Sequence, residues 1–427
     1  MCQLLVGLGD VTVRSIEDIA DGPLVVHIEL TINGRPFCHG CGAQASVKDR
    51  AAVMLTDLPA FGRATRLVWH KRRWQCKQPE CEVGSWTEQD LAIAHPGHGS
   101  TDRAGRWSTW QVGREGRAVS SVADELDCDW HTIMDAVAAY GQALVDHPDR
   151  FAEVIAIGLD ETQFARIGKW RKKQWSTSIV DVKESMLLDV VEGSDWGPAA
   201  QWLENRPDEW LAGIRWATLD MSGSYRKTFN EALSDATQVA DPFHVVKLAN
   251  KKVDDVRRRV TQETLGHRGR KDDDLWRARK KLVMAVERLD EDDQAKLKGL
   301  LAVGDPRGEV STAHTAKEAV REFYSFRDPE LADGWLKELS ADMRDVSCPA
   351  EIRQLGRTLR TWHDQVVAWH TAAVSNGPTE SMNNLCKRIK RVAFGMTNFK
   401  NWRIRCLLYA GKPDWDLLPG ITPVALS

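Results

Sequence analysis

The chain of 427 residues lacks any run apolar enough to cross a bilayer as a helix. Its longest largely apolar stretch, Ala136 to Val145, has ten residues, against about 18 for a membrane span. Low-complexity tracts are missing too, and with 42% hydrophobic and 28% charged residues the composition excludes a disordered or fibrous chain. The apolar start Met1 to Gly9 is broken by Asp10 and has no basic segment before it, so no secretory signal is expected and the cytoplasm is the expected compartment. Nor is there a disulfide framework: Cys2, Cys128, Cys348, Cys386 and Cys406 are scattered without pairing logic. An excess of one charge is absent as well, since 58 Lys and Arg against 61 Asp and Glu leave a net −3. At about 150 residues per domain, two to four domains are expected.

The distribution of charge says more than its sum. Gly62 to Gln75 holds Arg63, Arg66, Lys71, Arg72 and Arg73 with no acid, and Ser381 to Lys412 holds eight cations with no acid. Segments of one sign in a near-neutral protein point to polyanion contacts; the alternative is ordinary exposed faces.

Four cysteines are clustered. Cys38 and Cys41 frame a His-Gly turn, and Cys76 and Cys81 form a second close pair. Two thiolates on a tight turn, joined by a second pair, make a tetrahedral zinc site, provided the intervening residues form a hairpin with Phe61, Leu67 and Trp69 on its apolar side. Unligated buried cysteines or a redox pair are the alternative. Around them, segments such as Val25 to Leu30 and Arg66 to Trp74 read as strands.

After Pro96-Gly97 the pattern becomes helical. Trp107, Trp110 and Val112 line one face, a helix covers Ser120 to Leu126, Asp127-Cys128-Asp129 turns, and Trp130 to Val145 gives another helix with Ile133, Met134 and Val137 inward. This has the length and polarity of a helix-turn-helix, with Trp130, His131 and Thr132 at the groove-reading end; plain helical packing is the alternative. From Val154 the period becomes strand-like: Val154 to Leu159 ends in Asp160-Glu161, Lys173 to Val182 and Ser185 to Val191 form a hairpin, Trp196 to Asn205 is helical, and strands Ile214 to Leu219 and Thr237 to Ala240 end in Asp220 and Asp241. That order fits a mixed sheet of the ribonuclease H type. Val245 to about Gln365 reads as a helical insertion.

A last helix starts at Asn376-Gly377-Pro378 and places Glu380 in its first turn, where the helix dipole alone also favours a glutamate. Spacings of 3, 4, 7 and 11 put Asn383, Asn384, Lys387 and Arg391 on the face of Glu380, with Met382, Leu385 and Ile389 inward. Asp160, Asp220 and Glu380 can converge on two magnesium or manganese ions about 4 Å apart, the arrangement for phosphodiester chemistry. Asp241 is an alternative to Asp220, although Asp241-Pro242 also reads as a helix cap. Glu161 should point to the other face of the sheet, and His244 reads as packing against it, with the orienting of a phosphate or a metal ligand as the alternative.

Ile157-Gly158-Leu159-Asp160-Glu161, Asp220-Met221-Ser222 with Tyr225, Asp241-Pro242-Phe243-His244-Val245-Val246-Lys247-Leu248, and above all Ser375-Asn376-Gly377-Pro378-Thr379-Glu380 through Asn383-Asn384, Lys387, Gly395, Asn398-Phe399 and Arg403-Ile404-Arg405 resemble DDE transposases of the ISL3 insertion-sequence family. The resemblance covers nearly the whole chain. It implies that Asp160, Asp220 and Glu380 are the catalytic acids, on a ribonuclease H-like α/β domain broken by a helical insertion, and that the protein cuts or transfers strands at terminal inverted repeats. Pro242 departs from the arginine usual there.

The resulting expectation is an α+β multidomain protein: a zinc-ribbon-like module (1–97), a helix-turn-helix domain (98–150), the catalytic core in two parts (151–244 and 371–427) and a helical insertion (245–370). Its partners are double-stranded DNA with terminal repeats, target DNA and a second copy of itself, near the nucleoid. Lys387, Arg388, Lys390, Arg391, Arg403 and Arg405 are expected to hold the DNA backbone. Trp170 and Trp175, flanking Arg171-Lys172-Lys173, put aromatic and basic groups together where they could stack bases of an opened end. A zinc-containing regulator without catalysis and a structure-specific nuclease are the competing readings.

Overall fold

The computed structural model describes residues 7–31, 34–151 and 153–425. Cys2 and the first six residues of the apolar start lie outside the described residues. Among the described residues no helix is long and apolar enough to cross a membrane.

The N-terminal sheet comprises β1 (Val11–Asp18), β2 (Leu24–Leu30), β3 (Ser46–Ala60), β4 (Arg63–Gln75) and β5 (Ser85–Thr87), ordered β1-β2-β4-β3 with β5 on the far end of β4. The β3–β4 hairpin returns Cys76 to the level of Cys41. Val11, Ile28, Leu55, Leu67, Trp69 and Ile93 form its core. Phe61 does not join them: it sits at the hairpin tip with φ 53° and is 87% exposed, because the turn carries it past the last packed layer.

The acid-free run from Gly62 to Gln75 is not a free basic face. Strand pairing brings distant acceptors to it: Arg63 reaches Asp18, Arg72 reaches Glu29 and Glu88, and Lys71 donates to Gln89 at 2.8 Å and lies over the Trp69 ring.

Three helices follow: α1 (Asp102–Thr109), which passes into a π-helical turn (Trp110–Arg114), α2 (Val119–Glu125) and α3 (Trp130–Val145). No loose linker separates them from the sheet. Asp57, 1% exposed, accepts from Thr101 Oγ1 at 2.7 Å and from Arg103 Nε at 2.8 Å, and Arg66 donates to the Leu126 carbonyl at 3.0 Å, clasping the turn between α2 and α3.

The second sheet is built from β6 (Ala156–Ile167), β7 (Lys172–Asp181), β8 (Met186–Glu192), β9 (Trp216–Leu219) and β10 (Thr237–Ala240), in the order β10-β9-β6-β7-β8. β9 and β10 run parallel to β6, while β7 pairs antiparallel with β6 and β8 antiparallel with β7. Strand β6 is longer than its apolar run suggests: it continues through Asp160-Glu161, so Asp160 lies mid-strand and not at a strand end. Helices α4 (Trp196–Glu204) and α5 (Asp208–Ala212) join β8 to β9, and α6 (Gly223–Ala232) joins β9 to β10. The helical insertion comprises α7 (Pro242–Leu265), α8 (Asp274–Val283), α9 (Glu291–Gly304), α10 (Glu309–Phe323), α11 (Pro329–Asp342), α12 (Ala350–Thr361), α13 (His363–Val367) and α14 (Trp369–Ala372). The chain ends with α15 (Gly377–Val392) and α16 (Phe399–Ala410).

Strand alternation gives the sheet two cores. Ile157, Leu159, Ile179 and Leu188 pack with α4, α6 and the insertion. Phe164, Val180, Leu187 and Val190 pack on the other side with Met382, Ile389 and Trp402 of α15 and α16, and with Ile133, Met134 and Val137 of α3. The three N-terminal helices therefore share a core with the C-terminal ones.

Candidate active site and metal centre

The four cysteines meet as expected. Their sulfurs all lie within 4.8 Å of one another, with Cys38 and Cys81 at 3.6 Å and Cys41 and Cys76 at 3.5 Å. Sulfurs about 2.3 Å from one central ion stand roughly 3.8 Å apart, so the set fits tetrahedral zinc with little adjustment. The backbone N–H groups of Cys41 and Gly40 hold the Cys38 thiol down to about 7, toward the thiolate that a metal needs.

The acids gather where α15 begins on the second sheet. Asp160 projects from β6 to the α15 side, where Asn383 Nδ2 donates to it at 2.6 Å and the Glu161 N–H at 2.8 Å. Burial still raises its carboxyl above the ordinary range. Asp220, just after β9, is pushed up to about 6 by burial and then by the charges of Glu161 and Asp160. Its Oδ1 is buried with no hydrogen-bond partner. Glu380, in the first turn of α15, has its side chain 44% exposed. Among the described residues only the cysteines bring three or more ligand atoms within 4.8 Å, so the three carboxylates stand further apart than the thiols.

Asp241 is placed differently from Asp220. It is 4% exposed and caps α7; Oδ1 accepts from the Asn376 N–H at 3.0 Å, and Oδ2 accepts from the His244 N–H at 3.3 Å and His244 Nδ1 at 3.0 Å. Both oxygens are in use. The hydrogen bond to Asp241 raises the His244 pKa, and His244 Nε2 faces Glu380 Oε1 at 3.8 Å. His244 thus stands beside Glu380, which favours the alternative of an orienting residue over packing against the sheet alone. Its signal was the three-residue step from Asp241 on one helix turn. Glu161 points to the opposite face as expected, where Tyr225 Oη donates to it at 2.9 Å, yet its charge reaches Asp220.

Gly158 lets α15 start against the sheet. A Cβ there would come within 2.8 Å of Thr218 Oγ1 and 2.9 Å of Asn376 Oδ1, and closer still to Thr379 Oγ1. Gly158→Ala is expected to cost about 1–3 kcal/mol by overpacking and to lower the thermal midpoint. A calorimetric scan that matches the wild type would refute this.

The basic residues divide. Lys387, Arg388 and Arg391 are exposed on α15. Lys390 instead donates to the Gln163 carbonyl at 2.5 Å. Arg403 forks onto Asp189 at 2.7 and 2.9 Å, and Arg405 is 2% exposed and donates to the Arg117 carbonyl. These last two do not form part of a DNA-facing surface here, because α16 is buried around most of its circumference. Asn383 is likewise fully buried, while Leu385 is half-buried. At the start of α3, Trp130 and His131 are exposed and Thr132 is half-buried in a depression shared with Arg66 and Asp127. Trp170 is 87% exposed in the β6–β7 turn, with Lys169 beside its ring, whereas Trp175 is half-buried.

Residues 157–406, from β6 into α16, match the ISL3 family of DDE transposases, described as "Transposase". The chain belongs to that family. Residues 34–81, which contain all four cysteines, match the zinc-finger of transposases IS204, IS1001, IS1096 and IS1165. The chain is also 25% identical over 391 residues to the transposase for insertion sequence element IS1557 of Mycobacterium tuberculosis, in the strains CDC 1551 and H37Rv, across 84% of this chain and 82% of the relative. It is a transposase of an ISL3-family insertion sequence, an enzyme of phosphoryl transfer on DNA.

Proposed function

We propose that this transposase cuts and joins DNA at the terminal inverted repeats of its element, with Asp160, Asp220 and Glu380 as the acids that hold two magnesium or manganese ions. The observation that carries the assignment is the contrast between two aspartates at neighbouring strand ends. Asp241 has both oxygens bonded within the protein, while Asp220 keeps a buried, unpartnered oxygen beside Asp160. A buried carboxylate oxygen short of a partner, with a second carboxylate near it, suits a hard divalent cation. When bound, such ions neutralise charge on a phosphodiester and raise the nucleophilicity of the attacking hydroxyl.

The protein's own groups serve that centre. Asn383 fixes one oxygen of Asp160, and Asp241 orients His244, which presents Nε2 toward Glu380. Lys387 lies near enough to lower the Asp160 pKa against the effect of burial, and with Arg388 and Arg391 supplies positive charge for the backbone. The order β8-β7-β6-β9-β10, with the last two strands parallel to β6, supports a ribonuclease H-like core. The zinc module and the helix-turn-helix of α2 and α3 grip the element end, with Trp130, His131 and Thr132 toward the bases. Bringing two ends and a target together calls for at least a homodimer working on the nucleoid.

The test is incubation of a labelled duplex carrying the element's terminal repeat with the protein and magnesium or manganese. A nick at the repeat boundary that needs the metal, and is absent from a scrambled duplex, is the expected result. Specific binding with no cleavage under either metal would favour a regulator, and cutting of branched DNA irrespective of the repeat would favour a structure-specific nuclease.

A further inference from the structure

A groove on the helical insertion, bordered by α7 and α8, encloses about 1120 Å³. Seven of its twelve lining residues are Lys or Arg, and a single one, Asp254, is acidic. That acid is already occupied: Arg257 and Arg258 each approach it at 2.6 Å. Lys247, Lys251, Arg268 and Arg279 have no acidic partner among the described residues. Arg257, 3% exposed, keeps Nη1 buried without a hydrogen-bond partner. Trp276 adds an aromatic face under Arg279, 4.3 Å from its ring centroid.

The position of the groove is as informative as its charge. Lys247, Lys251, Asp254 and Arg258 follow one another at helical spacings along one face of α7. That helix begins at Asp241 and His244, beside Glu380. Fourteen residues from His244 to Arg258 extend about 21 Å at 1.5 Å each, the length of roughly six base pairs. The insertion and the helices α1–α3 pack on opposite faces of the second sheet.

We propose that this groove holds the phosphate backbone of duplex DNA on the far side of the cut from α2 and α3. The inference rests on the reading above, in which α3 grips the repeat and the acids cut at its edge; a duplex so held leaves the acids toward the insertion. Phosphates every few ångströms match Lys247, Lys251, Arg268 and Arg279, the lining cations that no acid among the described residues pairs, whereas Arg257, Arg258 and Arg259 are already held by acids. An unspecific backbone contact suits flanking DNA, whose sequence differs at every insertion site.

The test is fluorescence anisotropy with the full chain and two duplexes that share the terminal repeat. One ends at the cleavage position, and the other continues for about two turns of flank. Lys251→Ala with Arg268→Ala removes two exposed cations. At about 0.15 M salt, loss of two phosphate contacts should weaken binding of the extended duplex roughly 10- to 30-fold and reduce the slope of log K against log salt by about 1.8. Affinity for the trimmed duplex should stay within about twofold, and the charge-preserving pair Lys251→Arg with Arg268→Lys should restore the extended one. An unchanged midpoint of thermal unfolding shows that the fold is kept.

Equal losses on both duplexes, or no loss on the extended one, would overturn the proposal. So would a loss seen only after a second, unlinked duplex is added, which would place target DNA in the groove. Failure of the repeat-end reading shows up separately, as a wild-type protein that does not prefer the repeat over scrambled sequence. The comparison of flank lengths still judges the groove in that event, because backbone contacts are blind to sequence.

Discussion

Asp220→Asn is expected to leave the terminal repeat bound and to reduce its cleavage at least about a thousand-fold, equivalent to about 4 kcal/mol of barrier. The same substitution should make the metal-free protein more stable. Burial and the charges of Glu161 and Asp160 push the Asp220 carboxyl from an ordinary 3.8 to about 6. An acid with a raised folded pKa costs nothing below its unfolded value, and its cost grows as pH rises through the window from about 4 to 6. Above pH 6 the full cost is present, about 2 kcal/mol once solvent screening is allowed for. The asparagine variant should therefore unfold at a higher temperature than the wild type at pH 7, and the gap should close as pH falls toward 4. Magnesium should raise the wild-type midpoint and leave the variant's unmoved. A variant that cuts normally would sink the assignment, and one that loses stability at pH 7 would sink the electrostatic account. Glu380→Gln should lose cleavage too, with a smaller change in stability because its side chain is half in solvent.

Chelation of zinc, or Cys41→Ser, is expected to abolish recognition of the terminal repeat. Zinc on four thiolates contributes roughly 10 kcal/mol or more to a small module at neutral pH, more than most domains have in reserve. Cys41 is exposed, so serine removes a ligand and little packing. The unfolding should remain local. Leu67, Trp69 and Ile28 hold the β3–β4 hairpin to its own core, and Asp57 and Arg66 tie it to α1–α3. Elemental analysis should give one zinc per chain in the wild type and none in the variant, with repeat affinity lost and most secondary structure kept. A zinc-free protein with undiminished affinity would overturn the structural role.

Local pattern sufficed for much of this architecture. The helix expected over Trp130 to Val145 is α3 to the residue, and the hairpin expected over Lys173 to Val191 is β7 and β8 within one residue at each bound. The cluster of Cys38, Cys41, Cys76 and Cys81 was legible because two close pairs of thiols at such spacings suit a tetrahedral zinc site. What local pattern hid was set by distant partners. Strand β6 continues through Glu161, Thr162 and Gln163 because β7 pairs with them, although their side chains signal a loop. Arg403 and Arg405 look like a basic face until Asp189 and Arg117, 214 and 288 residues earlier, claim them. The partnership of His244 with Asp241 was within reach of the sequence, being three residues long, but its approach to Glu380 was not.

The core shared by α1–α3 with α15 and α16 bears on how such elements diversify. In many proteins that read DNA, the reading module hangs on a tether and can be traded between lineages by recombination at that tether. Here Ile133, Met134 and Val137 interlock with Met382, Ile389 and Trp402, so a transplanted reading helix would arrive without its matching socket. With α3 in the proposed role of reading the ends, new end sequences would then be acquired by single replacements on its outer surface, at Trp130, His131 and their neighbours, while the inner surface stays fixed by its packing on α15 and α16. Such a lineage should track its own ends by slow drift of both protein and repeat, and not by exchange of parts.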